Sequence, residues 1–453
     1  MRRAVPRYWG SLAILVVLLS TSRTRAAQIE SFRREPMPAG VRVAATELDG
    51  SVFTDPKGRT LYKWPLHELR NGVTGDHLGV SECTGVPNKV TSGLMSPYPE
   101  GLTLPDAEAH PSCTQVWPPF LADASAKPVG KWTLIIRSDG RQQWAYAGLP
   151  VYTFFLDQRA GDVLGARSDK RALDSPVLRL PVGPMPDVPP GFTVKTMSTG
   201  RLLVTDEGMS VYYSDHDTLA RAACVEACVD TWIPLLGPAS FRPHGAWSLV
   251  ERSAGVRQWA FHKHLLYRYR LDGDAHLFKG SDVPGWHNVY TQTAPPPPSP
   301  FTIQDTSAGQ VLADGNGRTL YTFFCGDDGL DQLGCDHPSE TQAYRLAVCG
   351  GGDPDRCLRT FPYVIAQEGD KSRSRSWSVR IIDPKTGRFA KAGAPGALRV
   401  WAFRDRPVYT YSGDHAPGDI SADAHGEFRG ERNGFRAIWL RDDFFAWNQP
   451  GPG

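Results

Sequence analysis

The sequence predicts an all-β chain of three tandem small β modules, each made of two antiparallel meanders that form a sandwich or barrel. Three observations predict it. Short alternating apolar runs are bounded by turn residues, in a chain with 45 Gly and 38 Pro, and this is the period-2 pattern of strands. Long stripes of period 3.6 are absent. One ordered set of residues recurs three times at fixed spacing, the mark of a repeat architecture. The 453 residues exceed what a single core supports, so several domains are expected.

Residues 1–27 read as a secretory signal: Arg2, Arg3 and Arg7 precede an apolar run from Leu12 to Leu19, and the small residues Ala26 and Ala27 follow. The run is about half the ~20 residues a helix needs to cross a bilayer. No later stretch is long enough, and no Cys follows the run to accept a lipid. A soluble mature chain, periplasmic or secreted and without a transmembrane segment, is expected. Its five Arg and no acid mean that losing residues 1–27 takes the formal net charge from +2 to about −3. No Lys or Arg face clusters in the remainder, so a nucleic-acid partner is not expected.

The modules are placed at 40–180, 192–293 and 301–446. Trp144-Ala-Tyr leads to Tyr152, Trp259-Ala-Phe to Tyr267 and Trp401-Ala-Phe to Tyr409, and the segments continue to Asp157, Asp272 and Asp414. Upstream stand Gly58-Arg-Thr-Leu-Tyr62, Gly208-Met-Ser-Val-Tyr212 and Gly317-Arg-Thr-Leu-Tyr321. Between these elements a Cys precedes an aromatic and a Pro, as in Cys113-Thr-Gln-Val-Trp117, Cys228-Val-Asp-Thr-Trp232 and Cys357-Leu-Arg-Thr-Phe361. Within a module, Trp132-Thr-Leu-Ile-Ile, the turn at 138–140, Gln143-Trp-Ala-Tyr and Val151-Tyr-Thr-Phe-Phe read as strand, turn, strand, turn, strand. The Pro-rich stretches Pro181–Pro190 and Pro295–Pro298 with Pro300 read as semi-rigid spacers that string the modules side by side. A single β-propeller of six half-module blades is the alternative.

These residues resemble a family of bacterial secreted repeats and lipoproteins with the motif Tyr-x-(Phe/Trp/Tyr)-x-x-Asp. Its pattern runs Gly-x-Thr-Leu-Tyr, a Cys pair before Trp-Pro-Pro, then Asp-Gly-x-x-Gln-Trp up to Tyr-x-Tyr-x-x-Asp and Pro-Gly-Asp, and the likeness spans nearly the whole mature chain three times. The chain departs from it in particular places. His67 and Gly326 stand where the upstream Tyr motif would carry Asp, only the second module keeps a close Cys224-x-x-x-Cys228 pair, and Gly161-Asp162 and Gly418-Asp419 have no counterpart after Asp272. The resemblance implies an exported β module and no particular activity.

Eight Cys in an exported chain predict disulfides inside modules: Cys83 with Cys113, Cys224 with Cys228, Cys349 with Cys357, and Cys325 with Cys335. The sharper reading of Cys224 and Cys228 is a Cu(I) site completed by His262 or His264, which suits soft thiolates; the plainer one is a structural bond. The sequence itself requires no cofactor. Trp144, Trp259 and Trp401 with Tyr152, Tyr267 and Tyr409 suit either an aromatic platform or, more simply, a core. Asp157, Asp272 and Asp414 suit turn caps better than acids or Ca²⁺ ligands.

The tips between Trp and Tyr change from Ala147-Gly-Leu149 to His262-Lys-His264 to Arg404-Asp-Arg406, which reads as exposed loop chemistry and as the place for specificity. No nucleophile elbow, zinc-protease, phosphate-loop or dinucleotide motif occurs. The expected function is therefore non-catalytic binding or scaffolding of an envelope protein or ligand through the tips and the insertions 66–112 and 325–356. The alternative is a periplasmic copper-binding or electron-transfer accessory.

Overall fold

The computed structural model describes residues 30–63, 77–85, 112–166, 180–273, 275, 277–324, 338–339, 342–426 and 434–442. The signal segment 1–27, His67, Gly326, Cys325 and Cys335 lie outside them, as do most of insertion 66–112 and about half of insertion 325–356.

The first segment forms β1 (Arg42–Ala45), β2 (Ser51–Thr54), β3 (Tyr62–Lys63), α1 (Cys113–Val116), β4 (Trp132–Ile136), β5 (Gln142–Tyr146), β6 (Leu149–Pro150) and β7 (Leu180–Pro181). The second forms β8 (Phe192–Met197), β9 (Gly200–Thr205), β10 (Tyr212–Ser214), β11 (Trp232–Pro234), β12 (Trp247–Ser253), β13 (Val256–Phe261), β14 (His264–Leu265), β15 (Tyr267–Tyr269), β16 (Trp286–Asn288) and β17 (Tyr290–Thr293). In the third come β18 (Thr302–Thr306), β19 (Gly309–Ala313), β20 (Tyr321–Phe324), α2 (Ala343–Gly350), α3 (Pro354–Thr360), β21 (Trp377–Ile382), β22 (Leu398–Phe403), β23 (Arg406–Tyr409), β24 (Gly434–Ala437) and β25 (Trp439–Asp442). The strands make eight small antiparallel sheets among the described residues, and none closes into a barrel.

Six dipeptides organise these sheets. Leu61-Tyr62, Val151-Tyr152, Val211-Tyr212, Leu266-Tyr267, Leu320-Tyr321 and Val408-Tyr409 are all essentially inaccessible to solvent. Successive side chains of an extended chain point to opposite faces, so each dipeptide serves two cores. The aliphatic residue enters a core around the Trp hairpins, with Trp132 and Trp144, Trp247 and Trp259, or Trp377 and Trp401. The Tyr enters a second core beside the cystines. Burying one such aliphatic side chain stabilises by ~1.5–3 kcal/mol, which accounts for the strictness of the spacing.

The two Tyr of a segment face one another. Across the strands the rows read Pro119, Tyr152, Tyr62, Pro181, then Pro234, Tyr267, Tyr212, Asn288, then Tyr363, Tyr409, Tyr321, Ala437. The halves of a segment thus meet in one sheet, which does not suit a propeller in which each half would own a blade. Within each segment the two hairpins instead face each other across the Trp core, in the manner of a small sandwich.

The three segments also pack on each other rather than stringing out along their Pro-rich spacers. The buried Glu30 pairs with Arg201 at 3.1 Å, and Gln292 donates to the carbonyls of Thr46 and Glu47 at 2.7 and 2.8 Å. Glu47 in turn accepts from Ser376 N at 2.8 Å, and Arg441 reaches Asp282 at 2.6 Å. Leu48, Ser198, Pro297, Ser374, Trp377 and Leu440, drawn from all three segments and a spacer, line a cavity of about 30 Å³. It has room for little more than a water.

Candidate functional site

Every residue of the repeated Trp, Tyr and Asp pattern is buried. The upstream hydroxyls donate to the Asp: Tyr62 to Asp157 Oδ2 at 2.6 Å, Tyr321 to Asp414 Oδ2 at 2.7 Å, and Tyr212 to Asp272 in the same manner. The other Asp oxygen accepts a backbone N–H seven residues on, from Leu164, Lys279 or Ser421, at 3.0, 2.9 and 3.0 Å. The expected turn cap is there, but the Asp is equally an acceptor for a Tyr from the other half of its segment. Burial, above all, raises the Asp157 carboxyl to about 8, against the bonds from Tyr62 and Leu164, which lower it. Burial and then the charge of Asp157 push the Tyr62 phenol well up.

In the second segment alone among the described residues an acid also stands at the reciprocal position. Asp217 follows Tyr212 at the same spacing as Asp272 follows Tyr267, and it raises the Tyr267 phenol, already lifted by burial, to about 12. Its Oδ1 accepts from Ala223 N at 2.6 Å, whereas its buried Oδ2 has no partner within hydrogen-bond distance. In the first segment Tyr152 meets Ser81 Oγ at 2.7 Å instead.

A second device went unread in the sequence. Arg137 donates to Gln143 Oε1 at 2.6 Å and to the Cys83 carbonyl at 2.8 Å, and Arg252 repeats this with Gln258 and the Cys224 carbonyl at 2.5 Å each. The Gln amides pass the bond on to the carbonyls of Val151 and Leu266 at 2.8 and 2.7 Å. The recurring Gln-Trp dipeptide was the available signal. The third segment has Val400 there, and the arginine it buries beside its cystine is Arg345 on α2.

Cys83–Cys113, Cys224–Cys228 and Cys349–Cys357 are disulfides. Cys224 and Cys228 are therefore not thiolates. Among the described residues no three of His, Cys, Asp or Glu are grouped to hold a metal, and Cys224, Cys228, His262 and His264 are not brought together as a site. The copper reading has no assembled ligand set to rest on.

What differs between segments is the tip. All three tips turn on two consecutive residues with positive φ: 50° and 83° at Ala147 and Gly148, 48° and 71° at His262 and Lys263, 47° and 66° at Arg404 and Asp405. This geometry matches the twist of a two-residue hairpin and favours Gly or Asn. The second and third tips hold it without either residue.

Contrary to the expectation of exposed loops, the third tip is closed. Arg404, Asp405 and Arg406 are buried, and Arg404 reaches Asp49 of the first segment at 3.5 Å. The first tip is partly covered, since Gly79 N donates to the Gly148 carbonyl at 2.8 Å. Only at the second are all three tip residues exposed. There the His264 and His287 rings lie 4.2 and 5.1 Å from the Tyr213 ring, and His287 meets the exposed Asp215 at 2.7 Å. Burial and then the neighbouring His264 lower the His262 pKa. The face presents aromatic stacking surfaces and imidazole nitrogens to solvent.

Fold and site together define a disulfide-stapled, nearly all-β chain with an exposed face of aromatic and histidine side chains. Residues 133–170, spanning β4, β5 and the loop after Asp157, match the model of the lipoprotein-15 family, described as a secreted repeat of unknown function. No curated protein matches the chain, and no solved structure does. Among the described residues no helix is long and apolar enough to cross a membrane.

Proposed function

We propose that the chain is an exported, non-catalytic protein, periplasmic or secreted after loss of residues 1–27, in which three copies of one module build a rigid frame and the second tip binds a partner of the cell envelope. The observation that carries this reading is the contrast between frame and tips. Trp, Tyr and Asp are buried in all three segments, whereas the tips differ in sequence and only His262, Lys263 and His264 form a fully exposed one. The first and third tips then act in packing. A secreted-repeat match and three disulfides agree with a life outside the reducing cytoplasm.

The test is a photo-crosslinking amino acid placed at Lys263, and separately at Arg141 as a control on another exposed surface, in the chain expressed in its native host. A discrete adduct from position 263 that disappears with Tyr213→Ala is the expected result. Equal labelling from both positions, or none from 263, would refute the reading.

A further inference from the structure

The three cystines differ in what surrounds their sulfurs. In the first two segments the clamping arginine touches a cysteine carbonyl. In the third, Arg345 is 1% exposed and puts Nη1 3.2 Å from Cys357 Sγ and 4.0 Å from Cys349 Sγ. Its Nε donates to Gln342 Oε1 at 3.2 Å, while Nη2 has no partner. The guanidinium lies 5.8 and 5.7 Å from the Tyr363 and Tyr409 rings, and no carboxylate stands within 4.0 Å among the described residues. Gly387 makes room for it: any Cβ there would overlap Nη2, and its φ of +75° already favours glycine.

An always-charged guanidinium buried without a counter-ion is costly, because removal from water is not offset by an opposite charge. Breaking the adjacent cystine creates an anion on the atom that Arg345 already touches. We infer that Cys349–Cys357 is a site of reversible thiol–disulfide exchange with an exported dithiol, favoured because reduction gives the buried Arg345 its missing anionic partner.

In the first step a thiolate of the dithiol attacks Sγ of Cys349, the less buried residue of the pair at 5% exposed against 1% for Cys357. The Sγ–Sγ bond breaks and its electron pair leaves on Cys357 Sγ beside Arg345. A stabilised leaving thiolate speeds such exchange. The second thiolate of the dithiol then attacks the mixed disulfide and releases Cys349, which takes a proton from water. Two electrons have passed to the protein, the dithiol has become a disulfide, and Cys357 remains a thiolate paired with the guanidinium.

The test equilibrates the full mature chain with a series of reduced-to-oxidised dithiothreitol ratios, quenches with acid, alkylates and maps each cystine by mass. Cys349–Cys357 is expected to open at a ratio at least ~10-fold lower than Cys83–Cys113 and Cys224–Cys228, equivalent to about 30 mV. Arg345→Met should remove that difference and leave the other two unchanged. Opening of all three at one ratio would overturn the inference. Should Arg345→Met fail to fold, the thiolate absorbance of the reduced wild-type chain decides: a Cys thiolate present at pH 7 supports the inference, and its absence at pH 7 overturns it.

Discussion

Replacing Tyr62 by Phe removes one hydroxyl and nothing else from the second core of the first segment, so it isolates the Tyr-to-Asp bond. Tyr62 and Asp157 are both fully buried, and their bond at 2.6 Å crosses from one half of the segment to the other. Asp157 keeps its bond from Leu164 N at 3.0 Å. Asp157 holds its proton below about pH 8, so the bond itself contributes ~0.5–1.5 kcal/mol, and leaving its buried acceptor unpaired costs ~1–3 kcal/mol. We expect Tyr62→Phe to destabilise the first segment by ~2 kcal/mol.

The pH dependence gives the sign. The Asp157 carboxyl is raised from 3.8 to about 8, so the folded state holds its proton more tightly than the unfolded chain. Its contribution is fully favourable below about pH 4 and is lost as pH rises through about 8. Because the bond from Tyr62 lowers this pKa, the Phe variant raises it further, and the loss relative to wild type should grow between pH 6 and pH 9.

Urea unfolding at those two pH values can be followed by fluorescence, with Trp117 as a reporter whose ring lies 5.4 Å from that of Tyr62. The cycle is completed with Asp157→Asn. Coupling of at least ~1 kcal/mol is expected, and additivity within ~0.5 kcal/mol would refute the reasoning. A loss larger at pH 6 than at pH 9 would refute it equally.

The remaining expectations concern other devices. Gln258→Val should destabilise the second segment by ~1–3 kcal/mol in urea unfolding, since it leaves the partly buried Arg252 short of an acceptor, although the third segment carries Val400 at the matching place with no arginine to satisfy. Lys263→Gly should raise stability by ~1 kcal/mol in the same assay by relieving a φ of 71°. Asp405→Gly should fail to do so, because Asp405 also pairs with Arg380. Arg201→Met should cost ~3–5 kcal/mol by leaving buried Glu30 unpaired, seen as earlier proteolysis between the first and second segments.

The frame was legible because it rests on local spacing. Leu266-Tyr267 and its five counterparts alternate between two cores, and a period of two in short strands is visible in a sequence. Asp272 was legible only in part: its bond to Lys279 N is local, whereas its bond from Tyr212 spans 60 residues and no local rule points to it. Gly161 and Gly418 carry φ of +85° and +84°, and a Cβ there would meet the carbonyls of Ala45 and Asp305 at 2.8 and 2.5 Å. The sequence showed these glycines but not the strands behind them.

Packing between segments was not legible at all. Arg404-Asp-Arg406 has the charge of an exposed loop, yet Asp49 of another segment covers it. The Pro-rich spacers looked like rods, but Pro295 and Pro297 fold into the junction. Neither outcome leaves a periodic trace.

The most direct test of a structural frame with a functional second tip is a graft of the first tip onto the second: His262→Ala, Lys263→Gly and His264→Leu together. The account predicts unchanged or slightly higher thermal stability, with loss of the adduct formed in the native host by a crosslinker at the exposed His216, next to Asp215 of the same face. An adduct of undiminished yield from the grafted chain would contradict it.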